Sequence, residues 1–414
     1  MMKNKFNDKK NAVWNTIGTT LNAFNSLFFM IIAIRINGTD SAGIFTYAFS
    51  ISALFNIIGV YYGRVYQVTE SSEFTDSDFF GNKLLTCIFM LLLSILFILC
   101  NSYNLEKGLI IFVLSIYRTL EAFAEVLYAY YQKNNELYKV GISLVVKNLL
   151  GLFLFGLVDY LTKSILYSTI ILTINYFVIM LLYDMQAIKK YKINILKMSK
   201  SHVTSILKQG FFSFLLAFFL QLLLNIPRYI IDLKTPSESA VWGIIIMPAS
   251  IMILIGQFSL APFIMELFEL YSNHEIKKYL AKVKNICLFV LGGGIIGVIC
   301  AWLFGIPVLN FVYGIDLDKY RMSLLLIIFG AILSGLQNIL YNLLVAMRYI
   351  KVQVYIYLVC IILAFFLFYF LINYHGVWGA SVAYLLIMGI LFFVYTVIFL
   401  IYSKRNGGYS NGES

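Results

Sequence analysis

GLIIFVLSIYRTLEAFAEVLYAYY, residues 108–131, is an apolar run of helix length interrupted by Arg118, Glu121 and Glu125. Steps of three and four residues place all three charges on one helical face, stacked over about two turns. A charge on a helix that faces lipid costs roughly a few kcal/mol or more, so this face is expected to look into protein or into a watered cavity. Two uses compete for it: an internal salt-bridge set that fastens helices, or a functional site inside the membrane. The rest of the chain reads as a container for that cavity.

Composition sets the class. Of 414 residues 61% are hydrophobic and only 12% charged, and five prolines leave the helices mostly unbroken. That balance is far too apolar for a soluble globular protein and indicates an integral membrane protein. Cys87, Cys100, Cys287, Cys300 and Cys360 lie in or beside apolar runs without a CxxC pair, and read as small embedded hydrophobes. His202, His274 and His375 lack ligand-like spacing, so no metal or other cofactor is expected.

At about 20 apolar residues per crossing the chain holds about twelve spans. They are residues 12–36, 43–67, 83–101, 108–131, 140–159, 164–183, 206–231, 240–265, 286–306, 322–347, 352–373 and 377–402. The first has a basic approach like a signal peptide, but it is too long for one and lacks a small-x-small cleavage pattern. An even count puts both termini on one side. That side carries 21 Lys and Arg, with Lys83 as the second connection's sole contribution, against seven on the other. The richer side is expected to be cytoplasmic. The net charge of +11 is then mostly this bias and no sign of nucleic-acid binding.

The longest connection, DMQAIKKYKINILKMSKSHVTS from Asp184 to Ser205, is basic and separates the sixth and seventh spans. The expected organisation is an N-terminal six-helix lobe (1–186), a cytoplasmic linker (187–205), a C-terminal six-helix lobe (206–403) and a cytoplasmic tail (404–414). Two such lobes around a midplane cavity are a recurrent transporter plan. A faint echo links them: Arg35 precedes Ser41-Ala42-Gly43-Ile44, and Arg228 precedes Ser239-Ala240-Val241-Trp242-Gly243-Ile244. No connection is long enough for a soluble domain and no GxxxxGK[ST] loop occurs, so an enzyme is not expected. Pro248 and Pro262 interrupt the eighth span and are expected to kink it.

Depth ranks the embedded charges. Arg118 lies roughly 15 Å from the outer end of its helix, and Glu125 roughly 9 Å from the cytoplasmic end. Lys147 sits roughly 10 Å above the cytoplasmic end of the next helix and is expected to pair with Glu121 or Glu125. Arg64 and Arg228 stand near helix ends, where they can snorkel to water. Arg118 is therefore the strongest candidate for holding an anionic group. Asn15, Asn22 and Asn25 recur on one face of the first span, either as interhelical glue or as cavity lining. Tyr61 and Tyr62, with Tyr66, and Tyr128, Tyr130 and Tyr131 near the end of the fourth span, read first as an interfacial belt. The alternative is a path for a sugar-bearing molecule, since tyrosine offers a flat face and a hydroxyl.

The first hairpin, NAVWNTIGTTLNAFNSLFF through INGTDSAGIFTYAFSISALFNIIGVYYGR, resembles the opening of bacterial polysaccharide flippases of the Wzx/RfbX type. These belong to the multidrug/oligosaccharidyl-lipid/polysaccharide exporter superfamily. NIPRYIID (225–232), GIPVLNFVYGIDL (305–317) and GVWGASVAYLL (376–386) continue the resemblance in order along nearly the whole chain. It implies an all-helical transporter in the bacterial cytoplasmic membrane that moves an undecaprenyl-pyrophosphate-linked oligosaccharide to the outer leaflet. The product would be a surface polymer such as O-antigen or capsule. It further implies a pyrophosphate site among Arg118, Lys147, Arg64 and Arg228. A polymerase and a chain-length regulator are implied as partners in the same membrane. Glu121 and Glu125 are candidate H+ or Na+ coupling groups. A multidrug antiporter of the same superfamily, a lipid II flippase with two further helices, and a membrane polymerase or ligase with a large outer loop are the alternatives.

Overall fold

The computed structural model describes residues 2–61, 63–69, 74–191, 193 and 198–407, and no strand occurs among them. The helices are α1 (Met2–Val60), α2 (Gly63–Thr69), α3 (Asp76–Cys100), α4 (Leu105–Lys133), α5 (Leu137–Thr162) and α6 (Ile165–Ile179). A π-helical turn, Met180–Asp184, joins α6 to α7 (Gln186–Lys190), and α8 (Lys200–Lys234) follows. Then come α9 (Ser239–Ile245), α10 (Met247–Leu260), α11 (Ile264–Ser272), α12 (Ile276–Cys300), α13 (Ile306–Tyr313), α14 (Arg321–Ala346) and α15 (Ile350–Gly407).

Among the described residues, nine helical stretches are long and apolar enough to cross a membrane. Two of these lie within α1 and α15, which are broken at Gly38 (φ 80°) and Gly376 (φ 54°) and so supply two crossings each. The 29-residue α4 is a further crossing of roughly 44 Å. The chain is thus an all-α polytopic membrane protein with about twelve spans. Two compact units divide it, Met1–Gln221 and Leu222–Ser414, and the division falls inside α8. The eighth span is broken where its prolines stand: Pro248 opens α10, and Pro262 lies in the 3-10 turn Ala261–Phe263 between α10 and α11.

In the first unit α4 is the central helix, packed by α1, α3, α5 and α6. The first limb of α1 lies against α5 at backbone contact. A Cβ on Gly141 would stand 2.2 Å from the Trp14 carbonyl, and one on Gly18 2.6 Å from the Gly141 oxygen. Close approach lets short amides bridge the pair: Asn25 donates to Asn148 at 2.7 Å and Asn148 to Asn22 at 3.2 Å, while Asn11 donates at 2.8 Å to Asn135 in the turn just before α5. At the far end Asn37 donates to both oxygens of buried Asp159 at 2.8 Å, beside the Gly38 break. In the second unit α14 is central, between α10, α12 and α15.

One boundary differs from the expected one in a way that matters. The third helix starts at Asp76, not Lys83, because Thr75 and Asp78 form a capping box that satisfies the first turn. Lys83, expected in a cytoplasmic connection, therefore sits inside the helix and is buried. Its Nζ donates to Gly59 O at 3.1 Å and Val60 O at 2.7 Å, the free carbonyls at the end of α1.

Between α4 and α5, Glu136 pairs with Lys139 at 2.9 Å and with Lys190, and accepts from Tyr191 at 2.7 Å. Partial burial pushes this carboxyl up, but the three donors outweigh it and hold it at about 2, below its ordinary 4.5. Its contribution to stability is thus present above pH 4.5 and lost as pH falls through about 2. Glu136→Gln should flatten that part of the pH dependence of thermal unfolding in detergent. Gly141→Ala, which forces α1 and α5 apart, should cost about 1–3 kcal/mol. Gly292→Ala, whose Cβ meets nothing within 4 Å, should not destabilise and should gain about 0.5–1 kcal/mol from helix propensity, read as a small rise in melting temperature.

Candidate functional site

The α4 face is set by its N-cap, where Asn104 accepts from the Lys107 amide at 2.9 Å. Arg118 then forms an ion pair with Glu121 one turn on, and Glu121 also accepts from the Tyr117 hydroxyl at 3.2 Å. The guanidinium lies 4.2 Å from the centre of the Phe49 ring on α1, a cation–π contact that covers one of its faces. Its Nε is a buried donor that meets no acceptor. A charge-assisted fork is therefore only partly engaged.

One turn further, Glu125 stands 3.6 Å from Arg64 Nε on α2, with 31% and 23% of the two side chains exposed. That separation is too long for a hydrogen bond and marks a loose electrostatic pair. A cavity of about 10 Å³ lies beside it, lined in part by Arg64, Gln67, Asn82, Lys83 and Glu125. It has room for about one water. Gln67 Nε2 and Asn82 Nδ2 are buried donors without a partner.

Lys147 points inward, but its partner is Asp184, not Glu121 or Glu125, so the expected pairing is corrected. Glu121 is engaged by Arg118 and Glu125 faces Arg64, while the wide π-helical turn carries Asp184 inward onto α5. Both side chains of the Lys147–Asp184 pair are fully buried. Lys147 also donates to Tyr128 Oη at 2.9 Å and lies 3.9 Å from the centre of the Tyr176 ring. Nothing in the sequence marked Asp184, which read as the first residue of the basic connection.

The remaining candidates separate. Asn22 and Asn25 spend their amides on Asn148 across the α1–α5 contact. Tyr61 donates to Leu207 O at 2.8 Å and stacks on Phe214 at 4.8 Å. Tyr62 lies outside the described residues. Arg228 belongs to the second unit, one residue after Pro227 in α8, with Nη1 3.4 Å from Asn225 Oδ1. The belt expected at the end of the fourth span is not one: Tyr128, Tyr130 and Tyr131 are all buried. Their hydroxyls meet Lys147, the Asp76 carbonyl at 2.9 Å and the Tyr183 carbonyl at 3.3 Å, because α4 is surrounded by helices rather than by lipid. Among the described residues no three His, Cys, Asp or Glu side chains gather as a metal site requires.

No family model matches the chain. Over 342 residues it is 24% identical to the capsular polysaccharide biosynthesis protein CapF of Staphylococcus aureus, covering 79% of this chain and 83% of that protein. Among solved structures, the lipid II flippase MurJ in an inward closed conformation superposes with a TM-score of 0.70 at 13% identity, over 96% of this chain and 93% of that one. An inward-facing multidrug resistance MATE family transporter of the MOP superfamily gives 0.63 at 10% identity, over 97% and 100%. The chain therefore has the fold these membrane transporters share.

The enclosed pair makes its own prediction. Lys147→Ala or Asp184→Ala should each cost about 3–5 kcal/mol, since the surviving charge is left buried and unpaired. Lys147→Met combined with Asp184→Leu should recover most of that loss, read as melting temperature and folded yield in detergent.

Proposed function

We propose that this protein is a flippase of the bacterial cytoplasmic membrane, with both termini cytoplasmic. It carries an undecaprenyl-pyrophosphate-linked oligosaccharide repeat unit to the outer leaflet by alternating access, for surface polysaccharide biosynthesis. The likeness to a lipid II flippase and the identity with a capsule biosynthesis protein support this cargo class. A polymerase and a chain-length regulator would act on the product in the same membrane.

The observation that carries the reading is the partly unengaged cationic face of α2 and α4. Arg118 keeps a buried N–H without an acceptor, and Arg64 stands off from Glu125 at 3.6 Å. Both guanidiniums thus retain donors for a pyrophosphate in the fork geometry that arginine suits. Lys147, closed on Asp184, is the weakest of the four cationic candidates and serves to hold α5. Glu121 and Glu125, the counter-ions of these arginines, are the groups on which H+ or Na+ binding would exchange with cargo. Enclosing the sugars in protein avoids stripping many hydroxyls of hydrogen bonds, at roughly several kcal/mol each on alkane-like scales.

Cells depleted of the protein should accumulate one complete pyrophosphate-linked repeat unit, seen by mass spectrometry of undecaprenyl-linked glycans. Wild type should clear it. Arg64→Ala, at equal abundance in the membrane, should clear it about tenfold more slowly or worse, the loss of a charge-assisted hydrogen bond. If no such intermediate accumulates and drug susceptibility changes instead, the chain is a multidrug exporter, as the second structural likeness allows.

A further inference from the structure

A groove of about 630 Å³ opens on the second unit between α10, the Pro262 turn and α12. Its size is that of a ligand site rather than a packing defect. Pro262 ends the regular run of α10, and Ile255, Ile286 and Phe289 form an apolar wall along it. One turn beyond Phe289 the helix carries Gly292, whose missing side chain leaves open space, and Gly293, where a Cβ would come only to 3.9 Å from Ile255. Neither glycine puts a side chain across the end of the strip. It also lies on an outward surface of the unit, since Leu288, Phe289, Ile295 and Ile296 on α12 are all exposed.

One end of this groove is polar and positive. Lys282 and Asn285 line it, and Lys277, Lys278 and Lys284 share the opening turns of α12. Lys282 pairs with Glu266 at 2.9 Å and lies 4.5 Å from the centre of the Phe263 ring, but the pair is not enclosed: 31% and 49% of the two side chains are exposed. Six residues into the helix, Lys282 sits about 9 Å from its start, the depth of a headgroup rather than of the bilayer centre. An apolar strip that ends in a lysine on the lysine-rich side is complementary to an amphiphile with an anionic head.

We propose that this groove is a binding site for one anionic glycerophospholipid of the cytoplasmic leaflet. Its phosphate sits on Lys282 and the Asn285 amide, and one acyl chain lies along Ile255, Ile286 and Phe289. Glu266, half exposed, turns to water when the phosphate replaces it. The assignment uses the positive-inside orientation and does not depend on what the protein transports.

The test is native mass spectrometry of the purified full-length chain titrated with phosphatidylglycerol or phosphatidylcholine of the same acyl chains. Phosphatidylglycerol should be retained about fivefold better, the increment of one lysine near an anionic headgroup. Lys282→Gln should abolish that preference, Lys282→Arg should keep it, and Glu266→Gln, which frees Lys282, should raise it. Lys278→Gln alters a side chain that is 74% exposed and outside the groove, so it should keep the preference. Equal retention of the two lipids would overturn the assignment, as would an equal loss in Lys278→Gln and Lys282→Gln. Displacement of bound phosphatidylglycerol by stoichiometric undecaprenyl phosphate would give the groove to the carrier lipid instead.

Discussion

Charges placed inside an apolar bundle must be compensated there, and the first unit is arranged around that requirement. Arg118 takes Glu121 from its own helix, whereas Lys147 takes Asp184 from the turn after α6. The second solution constrains more of the chain. It ties α5 to the end of α6, recruits Tyr128 from α4 and the Tyr176 ring from α6, and coincides with a π-helical turn. π turns are uncommon, and this one sets Asp184 where the buried lysine needs its partner. Removing water from the pair raises the value of each contact and the penalty for losing one. The buried tyrosines of α4 follow from the same placement: a central helix can carry hydroxyls only where each finds a partner.

Much of this was legible in the sequence, and the reasons are local. Apolar run length set the number of crossings, and the three-and-four spacing put Arg118, Glu121 and Glu125 on one face. Asn22 and Asn25 were readable as possible glue between helices. What escaped depended on neighbours distant in sequence. Asp184 read as the first residue of a basic connection, because nothing local reveals that the helix continues through a wider turn. Lys83 read as a cytoplasmic charge, because an apolar count starts a span at its first apolar stretch. The capping box at Thr75 extends the helix by two turns and swallows the lysine, which then caps the end of α1. Tyr128, Tyr130 and Tyr131 resembled a membrane belt because composition does not distinguish a peripheral helix from a central one.

Carboxylates serve a second purpose at the helix breaks. Each unit contains one long helix interrupted at a glycine of positive φ, and beside each break stands an acid. Asp159 holds Asn37 next to Gly38, while Glu238 accepts from the Val377 amide at 3.0 Å and the Tyr320 hydroxyl at 3.3 Å next to Gly376. A break exposes backbone amides that lipid cannot satisfy. At Gly376 the carboxylate meets such an amide and also fixes the glycine, since a Cβ there would meet Glu238 at 2.3 Å, whereas at Gly38 Asp159 takes the Asn37 side-chain amide.

Accessibility then sorts the embedded cations by what they can do. A group that binds and releases a ligand must exchange partners at small net cost. Lys147 cannot, because both members of its pair are enclosed and separation leaves two naked charges. Arg118 is intermediate: one carboxylate and the Phe49 and Tyr117 rings engage it, yet an N–H remains without an acceptor. Arg64 pays least, since its carboxylate is already beyond hydrogen-bond distance and both side chains reach solvent. The order follows side-chain exposure, which rises from Lys147 through Arg118 to Arg64, and not depth in the membrane, which alone had put Arg118 first. The most enclosed charge is the one whose partners must be most complete, so it is the least able to change them. Capacity to act therefore shifts toward α2, where the pair is loose and unmet amide donors of Gln67 and Asn82 adjoin the same small cavity.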